Sequence, residues 1–161
     1  MQYQLLDKPD FGVVQVQFDQ AGEQLIAESG AMLARDSGIE MKSSIQGGLG
    51  GALKRKMLGG ESLFQNTFTA TAPGQVLVGA FGGIQELQCD GNLVIDTGHL
   101  VAWDAGLQYK VGKSGSGWIA SYLSGEGLVC HFQGQGRIWI QTRNPVEYGE
   151  TVGRLLPPRE N

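Results

Sequence analysis

The sequence is short of cysteine, histidine, proline and charge, and each shortage removes a class of protein. Two cysteines, Cys89 and Cys130, in 161 residues make no disulfide framework, and a chain of this length buries a core without one. The bland use of both is as buried, reduced side chains. Two histidines, His99 and His131, lie in separate segments with no His-x-His pair. A metal centre needs three or four ligands, so neither a metal nor a cofactor is expected, and a cupin-like metal enzyme is kept only as a second alternative. Twelve Lys+Arg against 16 Asp+Glu give a net charge of −4, which opposes a surface built for phosphate backbones. No nucleic-acid partner is expected. The longest apolar run, Val76 to Phe81, is far too short for a bilayer, and no secretory signal opens the chain, so a cytoplasmic location is expected.

Glycine is what the chain has in excess, at 26 residues, alongside only five prolines and 41% apolar residues. That composition describes many turns between short strands rather than a disordered linker. Apolar residues alternate with polar ones at Val14/Val16/Phe18, Ile39/Met41, Leu107/Tyr109/Val111 and Ile138/Ile140. Each run reads as a strand with one wet face, and Trp139 falls on the wet side of the last. Turn signals punctuate the runs, among them Asp36-Ser37-Gly38, Asp90-Gly91-Asn92, Asp104-Ala105-Gly106 and Gly134-Gln135-Gly136. This spacing predicts an all-β sandwich or barrel. Two stretches, Leu49 to Leu58 and Trp118 to Leu123, break the pattern as short helical excursions. Asn144-Pro145 predicts a capped terminal helix over Pro145 to Thr151.

The chain also copies itself. Leu25 to Gly30 and Leu93 to Gly98 share an apolar run, an acid, a hydroxyl and a glycine. Ala34, Asp36, Gly38 and Lys42 fall against Ala102, Asp104, Gly106 and Lys110, each pair 68 positions apart, and Gly60-Glu61 later answers Gly125-Glu126. Such a repeat reports architecture. It predicts a single domain over 1–161 with one unit at about 21–79, a second at about 84–142 and a tail at 144–161. Gly30 and Gly98 are expected in equivalent turns.

Candidate sites are few. Lys54, Arg55 and Lys56, inside the glycine-rich segment 47–60, suit an anionic ligand or membrane surface as well as a plain solvated loop. Gly112-Lys113-Ser114 resembles the end of a phosphate loop, but Leu107 stands where the motif needs glycine. The paired acids Glu61/Glu126 and Asp36/Asp104 recur in both copies, as a turn requirement would make them, so no catalytic residue is expected. Arg137, Trp139 and Arg143 alternate along one strand, an arrangement suited to stacking but used more often for packing or a subunit interface. Trp118, Ile119, Leu123 and Trp139 are the candidate interface residues.

The segments Gly47 to Arg55, Gly59-Gly60-Glu61-Ser62-Leu63-Phe64, Ile95 to Trp103, Gly125 to Cys130 and Gln141-Thr142-Arg143-Asn144 together resemble the AIM24 family, proteins related to a mitochondrial biogenesis factor. The resemblance implies a TRAP-like double-stranded β-helix or β-sandwich, shortened here by one repeat unit. It implies no enzymatic activity. The expected function is a non-enzymatic oligomeric scaffold or interaction protein, a homo-oligomer with three subunits taken from the family. The alternative is a binder of an anionic ligand or membrane surface through segment 47–60.

Overall fold

Alternation along the chain becomes alternation of burial. In the computed structural model, which describes residues 1–6, 11–45, 64–113 and 128–157, Val14, Val16 and Phe18 are fully buried while Gln17 faces water. The strands are β1 (Gln2–Leu6), β2 (Val13–Phe18), β3 (Gln24–Glu28), β4 (Met32–Arg35), β5 (Ile39–Ile45), β6 (Phe64–Ala70), β7 (Gly74–Gly79), β8 (Ile84–Asp96), β9 (Leu100–Asp104), β10 (Gln108–Lys113) and β11 (Leu128–Gln141). One 3-10 turn, Thr97–His99, joins β8 to β9.

The strands form two antiparallel sheets that close a sandwich. One runs β1-β2-β7-β4; the other runs β10-β11-β9-β3-β6-β5, with β8 along the remaining edge of β11. A first core holds Val14, Val16, Phe18, Leu25, Phe68, Val76 and Trp139. A second holds Trp103, Leu107, Cys130, Phe132 and Ile138. Burying each large apolar side chain contributes about 1.5–3 kcal/mol, so these two clusters dominate the stability.

The pairing register gives both copies equivalent partners. Phe68 lies between Leu25 and Met41, and Phe132 lies between Leu93 and Tyr109. Arg35 faces Val76 as Trp103 faces Ile138. The same correspondence makes β2 and β3 together the counterpart of β8, and β6 and β7 the counterpart of β11. The first copy breaks each long strand in two, at 19–23 and 71–73. The second runs straight through.

Three expectations are corrected by these facts. The glycine signals at 90–92 and 134–136 are not turns; they lie opposite each other within the β8–β11 ribbon, with Gly91 (φ 111°) facing Gly134 (φ 122°). Positive φ in both strands at one rung lets the ribbon bend without ending. Gly30 has φ 92°, but its counterpart Gly98 sits in the 3-10 turn without a left-handed backbone. What Gly98 needs is space: a Cβ there would lie 2.3 Å from Asn144 Nδ2. Trp139 is not on a wet face. It is fully buried in the first core, edge-on to Tyr3 at 5.2 Å, while its neighbour Ile138 fills the second core. β11 lies between the two cores, so both of its faces are dry at this point.

The terminal helix α1 spans Pro145–Gly153, two residues beyond the expected end. Asn144 Oδ1 accepts from the Val146 and Glu147 amides at 3.0 and 3.4 Å, and Pro145 occupies the first helical position. No residue of α1 is buried; its Tyr148 meets Phe81 edge-on at 5.4 Å. The excursions expected at Leu49 to Leu58 and Trp118 to Leu123 lie outside the described residues.

Candidate functional site

Two distant stretches that stood out in the sequence, 95–99 and 141–144, meet at one node. β8 ends in Asp96, whose carboxylate accepts the Gly98 amide at 2.7 Å and caps the 3-10 turn. Thr97 Oγ1 donates to the Leu128 carbonyl at 2.9 Å, tying the turn to the start of β11. His99 Nδ1 donates to the Gln141 carbonyl at 2.8 Å, which fixes that nitrogen as the protonated one. Gln141 is buried, and its amide is used twice: Nε2 donates to the Gly98 carbonyl and Oε1 accepts the Phe81 amide, both at 2.9 Å. Thr142 Oγ1 accepts the Gly83 amide at 2.9 Å. Side chains of the second unit thus satisfy the backbone of the segment that links it to the first. The buried members, Thr97 and Gln141, use their polar atoms on the fold, as buried polar groups require.

The repeated aspartates serve the same end. Asp36 Oδ2 accepts the Gln75 amide at 2.9 Å, and its counterpart Asp104 Oδ2 accepts the Arg137 amide at 2.8 Å. Their carbonyls close the following turns onto Ile39 and Leu107. Each bond crosses to a strand that approaches unusually closely, because Gly74 and Gly136 stand opposite; a Cβ at Gly136 would meet Leu107 at 3.0 Å. The carboxylates therefore cap a neighbouring strand rather than only their own turns, which sequence spacing does not reveal.

Burial pushes the Asp104 carboxyl above its ordinary value, against the lowering effect of the Arg137 amide. A raised folded-state value means that stability from this group is fully present below the unfolded value and declines as pH rises through the folded one. Asp104→Asn keeps an acceptor for the Arg137 amide and removes the charge. Its melting temperature is expected at or above the parent's at pH 7, with any gain vanishing as pH falls below the ordinary aspartate range. Asp104→Ala instead orphans the amide and is expected to lose about 1–3 kcal/mol at every pH. Thermal melts of both variants across pH 3.5–7 check the pair.

Other expected residues are dispersed. Lys54, Arg55, Lys56, Trp118, Ile119, Leu123, Glu61 and Glu126 lie outside the described residues. Arg137, Trp139 and Arg143 form no stacking face: Arg137 lies over Tyr3 at 3.9 Å and pairs with Glu86 at 3.6 Å, Trp139 is internal, and Arg143 lies beyond the end of β11 near Tyr148. His99 is held at the node, whereas His131 is exposed in mid-strand. Among the described residues, no three His, Cys, Asp or Glu side chains gather as a metal would require. Cys89 and Cys130 are buried free thiols, and burial pushes Cys130 up to about 12, far from a reactive thiolate. Sequence reasoning placed Gln141 in a family motif but missed its anchoring role, because its partners Phe81 and Gly98 are 60 and 43 positions away. No helix among the described residues is long and apolar enough to cross a membrane.

Comparison with known proteins adds a family. The pattern described as mitochondrial biogenesis AIM24 matches residues 3–79 and, a second time, residues 70–143. The chain belongs to the AIM24 family. It is similar to the uncharacterized protein M6_Spy0233 of Streptococcus pyogenes serotype M6, with 33% identity over 141 residues, which is 86% of this chain. The chain spans about half the length, 54%, of that relative. Its fold is similar to the crystal structure of protein SPYM3_0169 from Streptococcus pyogenes, with a TM-score of 0.51 and 22% identity over 96% of this chain and 99% of that one. The first AIM24 match ends with β7, and the second overlaps it from residue 70 and runs through β11, so it takes in the node except for Asn144.

Proposed function

We propose that this AIM24-family chain is a non-enzymatic scaffold or interaction protein that works as a closed homo-oligomer, with three copies as the expected number. The observation that carries the reading is the use made of its most distinctive polar residues. Asp36, Asp96, His99, Asp104, Gln141, Thr142 and Asn144 all bond to backbone groups of their own chain. Bonds of this kind hold strands and turns in place, which supports a structural use of these residues. The repeat supports the oligomeric half of the reading, because a chain of repeated units leaves unpaired sheet edges at its two ends. Light scattering at micromolar concentration tests it: the expected mass is about three times the 17.2 kDa of one chain. A mass of one chain overturns the reading.

A further inference from the structure

Inside the chain, the second unit is joined to the first through an edge-to-edge strand pair. β9 runs antiparallel to β3, with Asp104 facing Leu25, Trp103 facing Ile26 and Ala102 facing Ala27. Each of these strands has a counterpart in the other unit. The counterpart of β9 is β4, and the counterpart of β3 is the Asn92–Asp96 end of β8. Neither counterpart is joined among the described residues, where β4 pairs only with β7, and β8 only with β11.

Burial records the difference position by position. Val101 in β9 is 1% exposed, and its counterpart Leu33 in β4 is 61% exposed. Ile26 in β3 is 8% exposed, and its counterpart Val94 in β8 is 55% exposed. Both open strands therefore present a large apolar side chain where the joined strands bury one. Exposed apolar residues on an open edge invite strand pairing.

β4 also carries a local irregularity, a register shift between Met32 and Ala34 against β7. Such bulges often blunt an edge. Here the same shift recurs in β9, where β11 passes from Ala102 to Leu100 between Trp139 and Ile140. β9 nevertheless pairs with β3 on its other side over Ala102–Asp104, the residues that follow the irregularity. The outer edge of this strand type is therefore competent to pair over the three residues that follow the bulge, which in the first unit are Ala34, Arg35 and Asp36. Arg35, the counterpart of Trp103, is the one charge on the strand, and its guanidinium donates to the Ile39 carbonyl of its own hairpin at 2.5 Å. That bond directs the charge back onto its own chain.

We infer that the outer edge of β4 in one copy of this chain pairs antiparallel with the Asn92–Asp96 edge of β8 in a second copy, repeating between chains the β9–β3 joint made within each. By equivalence Arg35 faces Val94, Ala34 faces Ile95 and Asp36 faces Leu93. The contact is head-to-tail, since one end of each chain meets the opposite end of the next, and such a contact gives a ring when its rotation closes. The four-stranded sheet of one copy then continues into β8, β11 and β10 of its neighbour. Val94 and Leu33 are covered as Ile26 and Val101 are.

This inference rests on the self-associating scaffold reading, and the experiment separates the two. Leu33→Asp and Val94→Asp each place a charge at an edge position that is exposed in the single chain, so both variants are expected to fold. Light scattering is expected to return the mass of one chain for each, against a multiple of it for the parent protein, with circular dichroism unchanged. As a positive test, Arg35→Cys and Val94→Cys proteins are mixed and oxidised. A disulfide-linked dimer is expected from the mixture and not from either variant alone, because directly opposed residues in a strand pair bring their Cβ atoms within bonding range. A parent oligomer that keeps its mass in both aspartate variants and gives no mixed disulfide overturns the joint and leaves the scaffold reading standing. A parent protein that is itself monomeric overturns both.

Discussion

Gly12→Ala is expected to be among the most damaging single changes available in this protein, lowering stability by about 3 kcal/mol or more. A Cβ at this position would lie 2.2 Å from Ile84 Cγ2 and 2.7 Å from the Ile84 backbone nitrogen. The two segments cannot simply part. The Gly12 amide donates to the Gly82 carbonyl, and the Ala80 amide donates to the Gly12 carbonyl, both at 2.9 Å. Gly12 leads into β2, and Ile84 opens β8, so their contact clamps the first unit to the linker that begins the second. A flexible side chain would yield to one added methyl, but a hydrogen-bonded backbone does not. Gly22→Ala is the control. Gly22 has φ 91° with nothing within 4 Å of an added Cβ, so only the left-handed conformation opposes the change, at about 1–2 kcal/mol. Urea unfolding midpoints compare the two, and equal losses would show that the crossing at Gly12 is looser than described.

Trp139→Ala is expected to cost about 3–5 kcal/mol, the usual loss for truncating a buried Trp. Trp139 is fully buried, with Tyr3 against its ring and Arg137 in turn over the Tyr3 ring. Its removal opens a cavity where β1, β11 and the first core meet. Trp139→Phe is a sharper probe. The buried indole nitrogen of Trp139 has no hydrogen-bond partner among the described residues. An orphaned buried donor costs about 1–3 kcal/mol, and phenylalanine removes it while keeping a ring against Tyr3. The volume lost and the donor relieved oppose each other, so the net change is expected within about 1.5 kcal/mol. Unfolding curves for the two variants distinguish packing from polarity. A phenylalanine variant as unstable as the alanine one would mean that the indole nitrogen is satisfied in solution.

The strand content was legible because period-two alternation is a local property. Val14, Val16 and Phe18 point inward together whatever the rest of the chain does, and the structure buries all three. The capped helix was legible for the same reason: Asn144 needs only the two amides that follow Pro145. The copied segments were visible in the sequence, and the register places Leu25 and Leu93, or Met41 and Tyr109, against equivalent phenylalanines. The family was legible in the motifs around 95–103 and 141–144, and the family match covers both up to residue 143.

The tertiary structure alone decided which of two identical-looking features did what. A strand carries two faces, and alternation tells them apart only when one of them is wet. β11 crosses between two cores, so Ile138 and Trp139 are both dry, and the alternating pattern had nothing to say about Trp139. Glycine-rich triplets read as turns because they permit one, yet at Gly91 and Gly134 the pairing of β8 with β11 runs on without a break in register and the ribbon continues. Gly30 and Gly98 occupy matching places in the repeat, but only Gly30 needs a left-handed backbone; Gly98 is required by Asn144, 46 positions away. Asp36 and Asp104 bond to amides 39 and 33 positions on. Sequence by itself determined the alternation, the copies and the cap, because those depend on neighbours along the chain; contacts between distant strands determined the rest, because burial and hydrogen-bond partners exist only once the strands are packed.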